Sequence, residues 1–228
     1  MAMNKSLLNK KIIIAIVVFV ISIVALAGMI LLGNLFDTDI SNGDFEKIGK
    51  NPHLPGWTKY NYNSEYKSDY ECTEFSVIED GYKGNALKIV NHEKNDARVY
   101  QTVYVEAATT YKISVMIKTE NVEGGTGANI AAYDCHGNSS GVFDTSDGWV
   151  EHTVYLTTKE EQTSFKLSLG LGGFSKMSSG TAFFDNLTIS KADSVPEGEE
   201  QIEFEPKQED KEDTSVSIWF KLLFVGII

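Results

Sequence analysis

In the stretch GTAFFDNLTIS, Gly180 to Ser190, an acid interrupts a segment patterned like a β-strand. At a period of two, Phe183, Asp185, Leu187 and Ile189 share one face, which places a carboxylate in line with core residues. A buried carboxylate must be paired, hydrogen-bonded or bound to a metal. Three readings of Asp185 follow: it holds a cation, it accepts backbone N–H groups from a neighbouring turn, or it lies at the strand end with water.

Other reactive residues are sparse. Cleavage of a glycosidic bond would need two carboxylates facing each other across a cleft, and the strands offer only lone acids such as Glu151. The histidines, His53, His92, His136 and His152, have neither HxH nor HExxH spacing. Cys72 and Cys135 lack the CxxC spacing of a zinc site and make either one disulfide or two free thiols. The chain is therefore expected not to be an enzyme.

The elements that position these residues read as strands. GWTKYN, TEFSVI, ALKIV, ARVYQTVYV, TYKISVMIK, ANIAAYD, WVEHTVYLT, SFKLSLGL and TAFFDNLTIS follow one another, separated by turns such as EDGYKGN, EGGTG and TSDGW. In TYKISVMIK the row Tyr111, Ile113, Val115, Ile117 is apolar, and in SFKLSLGL the row Phe165, Leu167, Leu169 is apolar while Lys166, Ser168 and Gly170 point away. In ARVYQTVYV, alternation groups Gln101 with Val99, Val103 and Val105 and turns Arg98, Tyr100 and Tyr104 outward. Such half-buried antiparallel strands predict an all-β, two-sheet sandwich or barrel over residues 37–192.

Before that domain, residues 1–11 carry Lys5, Lys10 and Lys11, and from Ile12 to Gly33 there are 22 residues without a charge. Residues 12–36 are thus expected to form one transmembrane helix, with the N-terminus in the cytoplasm and the domain outside the cell. A cleavable signal peptide is the rival, with Ala25-Leu26-Ala27 as its site; the apolar run past Gly28 favours an uncleaved signal anchor. Residues 193–214 hold ten acids and two lysines and are expected to be a disordered linker. Residues 215–228 are apolar again and resemble the opening of a second membrane segment. A net charge of -12 with no basic run excludes nucleic acid as a partner.

The order NGDFE at Asn42 to Glu46, PGW at Pro55 to Trp57, ALKIV, YQTVYV followed by TTYKIS, Trp149, LGGFS and AFFDNLTI resembles the carbohydrate-binding modules of families four and nine, within the galactose-binding-like jelly rolls. The resemblance spans about residues 38–192. It implies a jelly-roll β-sandwich, a glycan or polysaccharide partner in a cleft on the concave sheet, and a structural calcium joining the first and last strands. By that likeness Asp185 and Glu46 are the calcium side chains, with carbonyls around Asn42 and Asp44 as further donors.

For the sugar, the likeness assigns Tyr60 as a stacking aromatic and Gln101 as a hydroxyl-reading amide, in conflict with the core row that alternation gives Gln101; a bulge or a satisfied core amide would resolve it. Lys166, Ser168, Tyr100 and Arg98 would complete the ligand surface. The chain departs from those relatives at Lys166 and Gly170, where Gln or Asn is usual, and the lysine favours an acidic or phosphorylated glycan over a neutral β-glucan. The alternative is a structural or protein-interaction ectodomain of the same fold, within a larger membrane protein and without sugar binding.

Overall fold

A computed structural model describes residues 16–23, 38–50, 54–63, 72–133 and 137–204. The strands are β1 (Thr58–Asn61), β2 (Thr73–Ile78), β3 (Ala86–Asn95), β4 (Ala97–Tyr104), β5 (Thr110–Glu123), β6 (Ala128–Ala132), β7 (Gly137–Asn138), β8 (Val150–Thr157), β9 (Ser164–Leu171), β10 (Ser178–Ala192) and β11 (Gln201–Ile202). They form a five-stranded sheet, β1-β4-β9-β6-β7, and a six-stranded sheet, β11-β8-β5-β10-β3-β2. After the β2–β3 hairpin the chain passes repeatedly from one sheet to the other, as in a jelly roll. Among the described residues only β11 pairs in parallel, with β8.

Alternation builds the core as the apolar rows require. Tyr111, Ile113, Val115 and Ile117 of β5 meet Phe165, Leu167 and Leu169 of β9, and all are buried. Val99 and Val103 of β4 and Ile130 of β6 complete the inner face of the five-stranded sheet. Trp57 stacks on Phe45 at 5.7 Å and closes one end of the core.

Strand β10 departs from strict alternation. Its register against β5 shifts between Asp185 and Thr188, and Asn186 there is left-handed, with φ 52°. This bulge turns the chain by one residue. Ala182, Phe184 and Leu187 therefore belong to the core, whereas Phe183 and Asp185 lie on the outer face. The expectation that Asp185 stands in line with core residues is corrected by that single left-handed residue. Asp185 is nonetheless 1% exposed, because the turn between β2 and β3 covers it.

Residues 193–204, expected within the acidic spacer, run back along the domain instead. Ile202 is buried, Phe204 meets Phe165 edge-on at 6.0 Å, the Glu200 carbonyl accepts from Tyr155 N at 2.8 Å, and its carboxylate accepts from Ser140 Oγ at 2.7 Å, so apolar and polar contacts together seat the segment. Residues 16–23 are helical, and among the described residues no helix is long and apolar enough to cross a membrane. The remainder of the expected 12–36 span, residues 205–228, Cys135, His53 and His136 lie outside the described residues. Cys72 is a buried free thiol.

Candidate functional site

The outer face of the five-stranded sheet carries the candidate site. Register places Tyr60 of β1 beside Arg98 of β4, Arg98 beside Gly170 of β9, and Gly170 beside Asn129 of β6. Gly170 matters sterically: a Cβ there would stand 3.3 Å from the Arg98 Cβ and 3.7 Å from its Cζ. With no side chain at Gly170, the arginine can lie along the sheet.

Arg98 is 2% exposed and is paired with Asp96, the single residue between β3 in one sheet and β4 in the other. Its Nε donates to Asp96 Oδ1 at 3.0 Å and its Nη2 donates to the same oxygen. Nη1 donates to Ser168 Oγ at 3.4 Å. Both ions of a buried pair lose hydration, so an unmatched partner would be costly, and the shared hydrogen bonds offset that loss.

Aromatic rings surround this pair. The Arg98 Cζ stands 5.1 Å from the centroid of Tyr133. Tyr133 in turn stacks on Tyr100 at 5.1 Å and meets Tyr60 at 5.5 Å with a 49° tilt. Lys166 Nζ lies 5.3 Å from the Tyr100 ring and 5.9 Å from that of Tyr133. A cleft of about 430 Å³ opens beside the rings, lined by the half-buried Tyr60, Tyr62 and Tyr133, the exposed Phe174, and the buried Asp96 and Arg98. That volume lies within the roughly 300–1,000 Å³ common to small-molecule sites.

The cleft is held from behind by amides. Asn91 Nδ2 donates to the carbonyls of Leu171 and Ser178, both at 3.0 Å, and Asn129 Nδ2 donates to those of Gly127 at 2.9 Å and Gly172 at 2.8 Å. These bonds tether the β9–β10 turn that carries Phe174, a residue 68% exposed. Tyr62 N donates to the Asp96 carbonyl at 3.0 Å, which ties a side of the cleft to its floor.

Of the residues expected to bind ligand, Tyr60 and Arg98 line the cleft, while Tyr100 and Lys166 flank Tyr133 outside the lining. Ser168 is fully buried and serves Arg98. Gln101 is corrected. Its Oε1 accepts from Ser41 N at 2.9 Å and its Nε2 donates to Ser41 O at 3.1 Å, on the core side of β4. No bulge intervenes between Ala97 and Tyr104, so alternation holds and the amide clasps the entering chain. Asp96, Tyr133 and Phe174 were missed. Tyr133 was accessible through its parity with Asn129 and Ala131; Asp96 and Phe174 sit in turns, where no periodicity marks them.

At the other expected site, Asp185 Oδ2 accepts from Lys83 N at 2.8 Å and Oδ1 from Asn186 N at 2.5 Å. Glu46 accepts from Asn85 N and Asn85 Nδ2, both at 2.7 Å. Burial raises the Asp185 pKa above the usual carboxylate range; the two N–H donors oppose this, and the negative charges of Glu46 and Asp44 add to it. A cation would relieve that repulsion, so the donor chemistry suits a hard ion. Among the described residues no three His, Cys, Asp or Glu side chains are grouped to hold a metal, so main-chain carbonyls would have to complete the shell. Asn42 is not one of them in this arrangement: its carbonyl accepts from Trp57 Nε1 at 3.1 Å and Phe45 N at 3.3 Å.

His152 Nε2 lies 3.1 Å from Ser139 Oγ and 3.8 Å from Glu200. Both partners share one ring nitrogen, whereas a Ser-His-acid relay uses opposite nitrogens. Burial lowers the pKa of this imidazole, with Glu200 acting against the shift.

No protein-family profile matches the chain, and no curated protein matches it. Solved structures do. A structure described as "CBM4 structure and function" is 17% identical, with 68% of this chain and 100% of that chain covered and a TM-score of 0.47. The module TmCBM61, solved with beta-1,4-galactotriose, is 15% identical over 68% of this chain and 99% of its own, with a TM-score of 0.45. The enzymatically active domain of bacteriophage CBA120 tailspike protein 4 is 12% identical over 68% of this chain and 21% of its own, with a TM-score of 0.46.

Proposed function

We propose that residues 38–192 are a non-catalytic carbohydrate-binding module of the family four and nine type, displayed outside the cell by an N-terminal membrane anchor. The observation that supports it is the cleft in which Tyr60, Tyr62 and Phe174 rise around a buried Asp96–Arg98 pair. Aromatic sides accept the C–H faces of a pyranose, and charged hydrogen-bonding groups between them read its hydroxyls. The uncharged run after Lys10 and Lys11 supports the anchor.

A structural calcium belongs to the same reading, held by Asp185 and Glu46 with Asp44 nearby; it would supply positive charge that ties the first turn to β10. A glycan array probed with the full-length protein in detergent, with and without chelator, tests the proposal. Selective binding that is lost in Tyr60→Ala supports it, and a silent array with folded protein rejects it.

A further inference from the structure

We infer that Asp96 makes the cleft selective for neutral sugars with two adjacent free hydroxyls, and that it discriminates against uronate or phosphorylated chains. This inference rests on the glycan-binding reading of the same cleft. Asp96 is 6% exposed, yet it lines the cleft. Both hydrogen bonds from Arg98 end on Oδ1, and among the described residues none reaches Oδ2.

An ionised carboxylate only accepts hydrogen bonds, so Oδ2 matches a hydroxyl that donates. Arg98 has no acceptor and five N–H donors; among the described residues, its only side-chain hydrogen bond beyond those to Asp96 is the long one to Ser168 at 3.4 Å. The guanidinium can therefore donate to the oxygen of the neighbouring hydroxyl. A fixed acceptor beside a fixed donor is the complement of a vicinal diol. A charged acceptor also holds a hydroxyl more strongly than a neutral one.

The same atoms oppose an anion. Arg98 is already neutralised by Asp96, and a ligand carboxylate on the floor would face Oδ2 in a half-desolvated site. Lys166, the residue that favoured an acidic glycan, rests against Tyr100 and Tyr133 and is not part of the cleft lining. The chain as a whole adds negative potential, with a net charge of -12.

The test is calorimetric titration of the full-length protein in detergent with four hexasaccharides. Three are the neutral β-1,4-linked chains of glucose, xylose and galactose, and the fourth is galacturonate. All four carry adjacent hydroxyls at C2 and C3, and the uncharged methyl ester of the galacturonate chain, alike in linkage, isolates charge as the variable. At least one neutral chain is expected to bind, with the galacturonate chain at least tenfold weaker. Asp96→Asn should lose at least tenfold in affinity for the neutral chain.

Because that variant leaves Arg98 without its ion partner and can fail to fold, a ligand-side arm accompanies it. The 2,3-di-O-methyl form of the bound chain should lose at least tenfold with the unaltered protein. Galacturonate binding as tightly as the neutral chain, or methylation without effect, overturns the selectivity and leaves the glycan reading intact. Failure of all four to bind overturns both.

Discussion

Tyr100 and Tyr133 stack with ring centroids 5.1 Å apart and planes 23° from parallel. Tyr100 stands on an interior strand of the five-stranded sheet, and Tyr133 follows β6 and lines the cleft. The first ring thus holds the second in place from a rigid element. Aromatic pairs of this kind contribute about 0.5–1.5 kcal/mol beyond their buried area. Tyr133→Ala should weaken glycan binding by at least tenfold, and Tyr100→Ala should weaken it less, about three- to tenfold by the energy of the lost pair. Titration of both variants decides this; equal binding by Tyr133→Ala and the parent would remove the ring from the site.

Gln101 should matter to stability and not to ligand. Its amide closes two hydrogen bonds with the Ser41 backbone. Gln101→Ala is expected to cost about 1–3 kcal/mol in urea unfolding, with sugar affinity unchanged in the folded protein. A selective loss of binding at unaltered stability would return the amide to the cleft.

The bulge in β10 is expected to discriminate sharply between substitutions. Asn186 has φ 52°, a conformation that a β-branched residue adopts only under strain. Asn186→Val should destabilise by about 1–3 kcal/mol and Asn186→Gly should be near neutral. Equal effects from both would show that the left-handed turn is not what sets the register.

Asp185 gives the fold a pH dependence of definite sign. Burial raises its folded-state pKa, so in the absence of a cation its contribution to stability is fully present below the ordinary carboxylate pKa and is lost as pH rises through the raised value. In chelator, melting scans between about pH 4 and pH 7 should show this loss in the parent and not in Asp185→Asn. Added calcium should reverse the order, stabilising the parent by about 2.7 kcal/mol at a hundredfold excess over its dissociation constant. Identical scans with and without calcium would reject the ion.

Much of the sandwich was legible because its rows are clean. The apolar rows of TYKISVMIK and SFKLSLGL lie in the core as alternation requires, and Tyr60 and Arg98 reach the cleft. Alternation failed where the backbone itself changed hand, at Asn186, and there it misplaced Asp185. With Gln101 the opposite happened: alternation was right and the assignment carried by family likeness was not. Asp96 and Phe174 were hidden because turn residues are positioned by tertiary hydrogen bonds, such as those of Asn91 and Asn129, that leave no periodic trace.

Gln201 and Ile202 pair with Tyr155 and Leu156 of β8 at the border of the six-stranded sheet. Sheet borders carry unpaired N–H and C=O groups that can recruit strands from other molecules, and a short covering strand blunts that tendency. The parallel pair covers β8 in this way, so its loss is expected to promote self-association. Ile202→Asp should unseat it, and the consequence would be read in sedimentation at rising protein concentration: oligomers in the variant at concentrations where the parent stays dispersed.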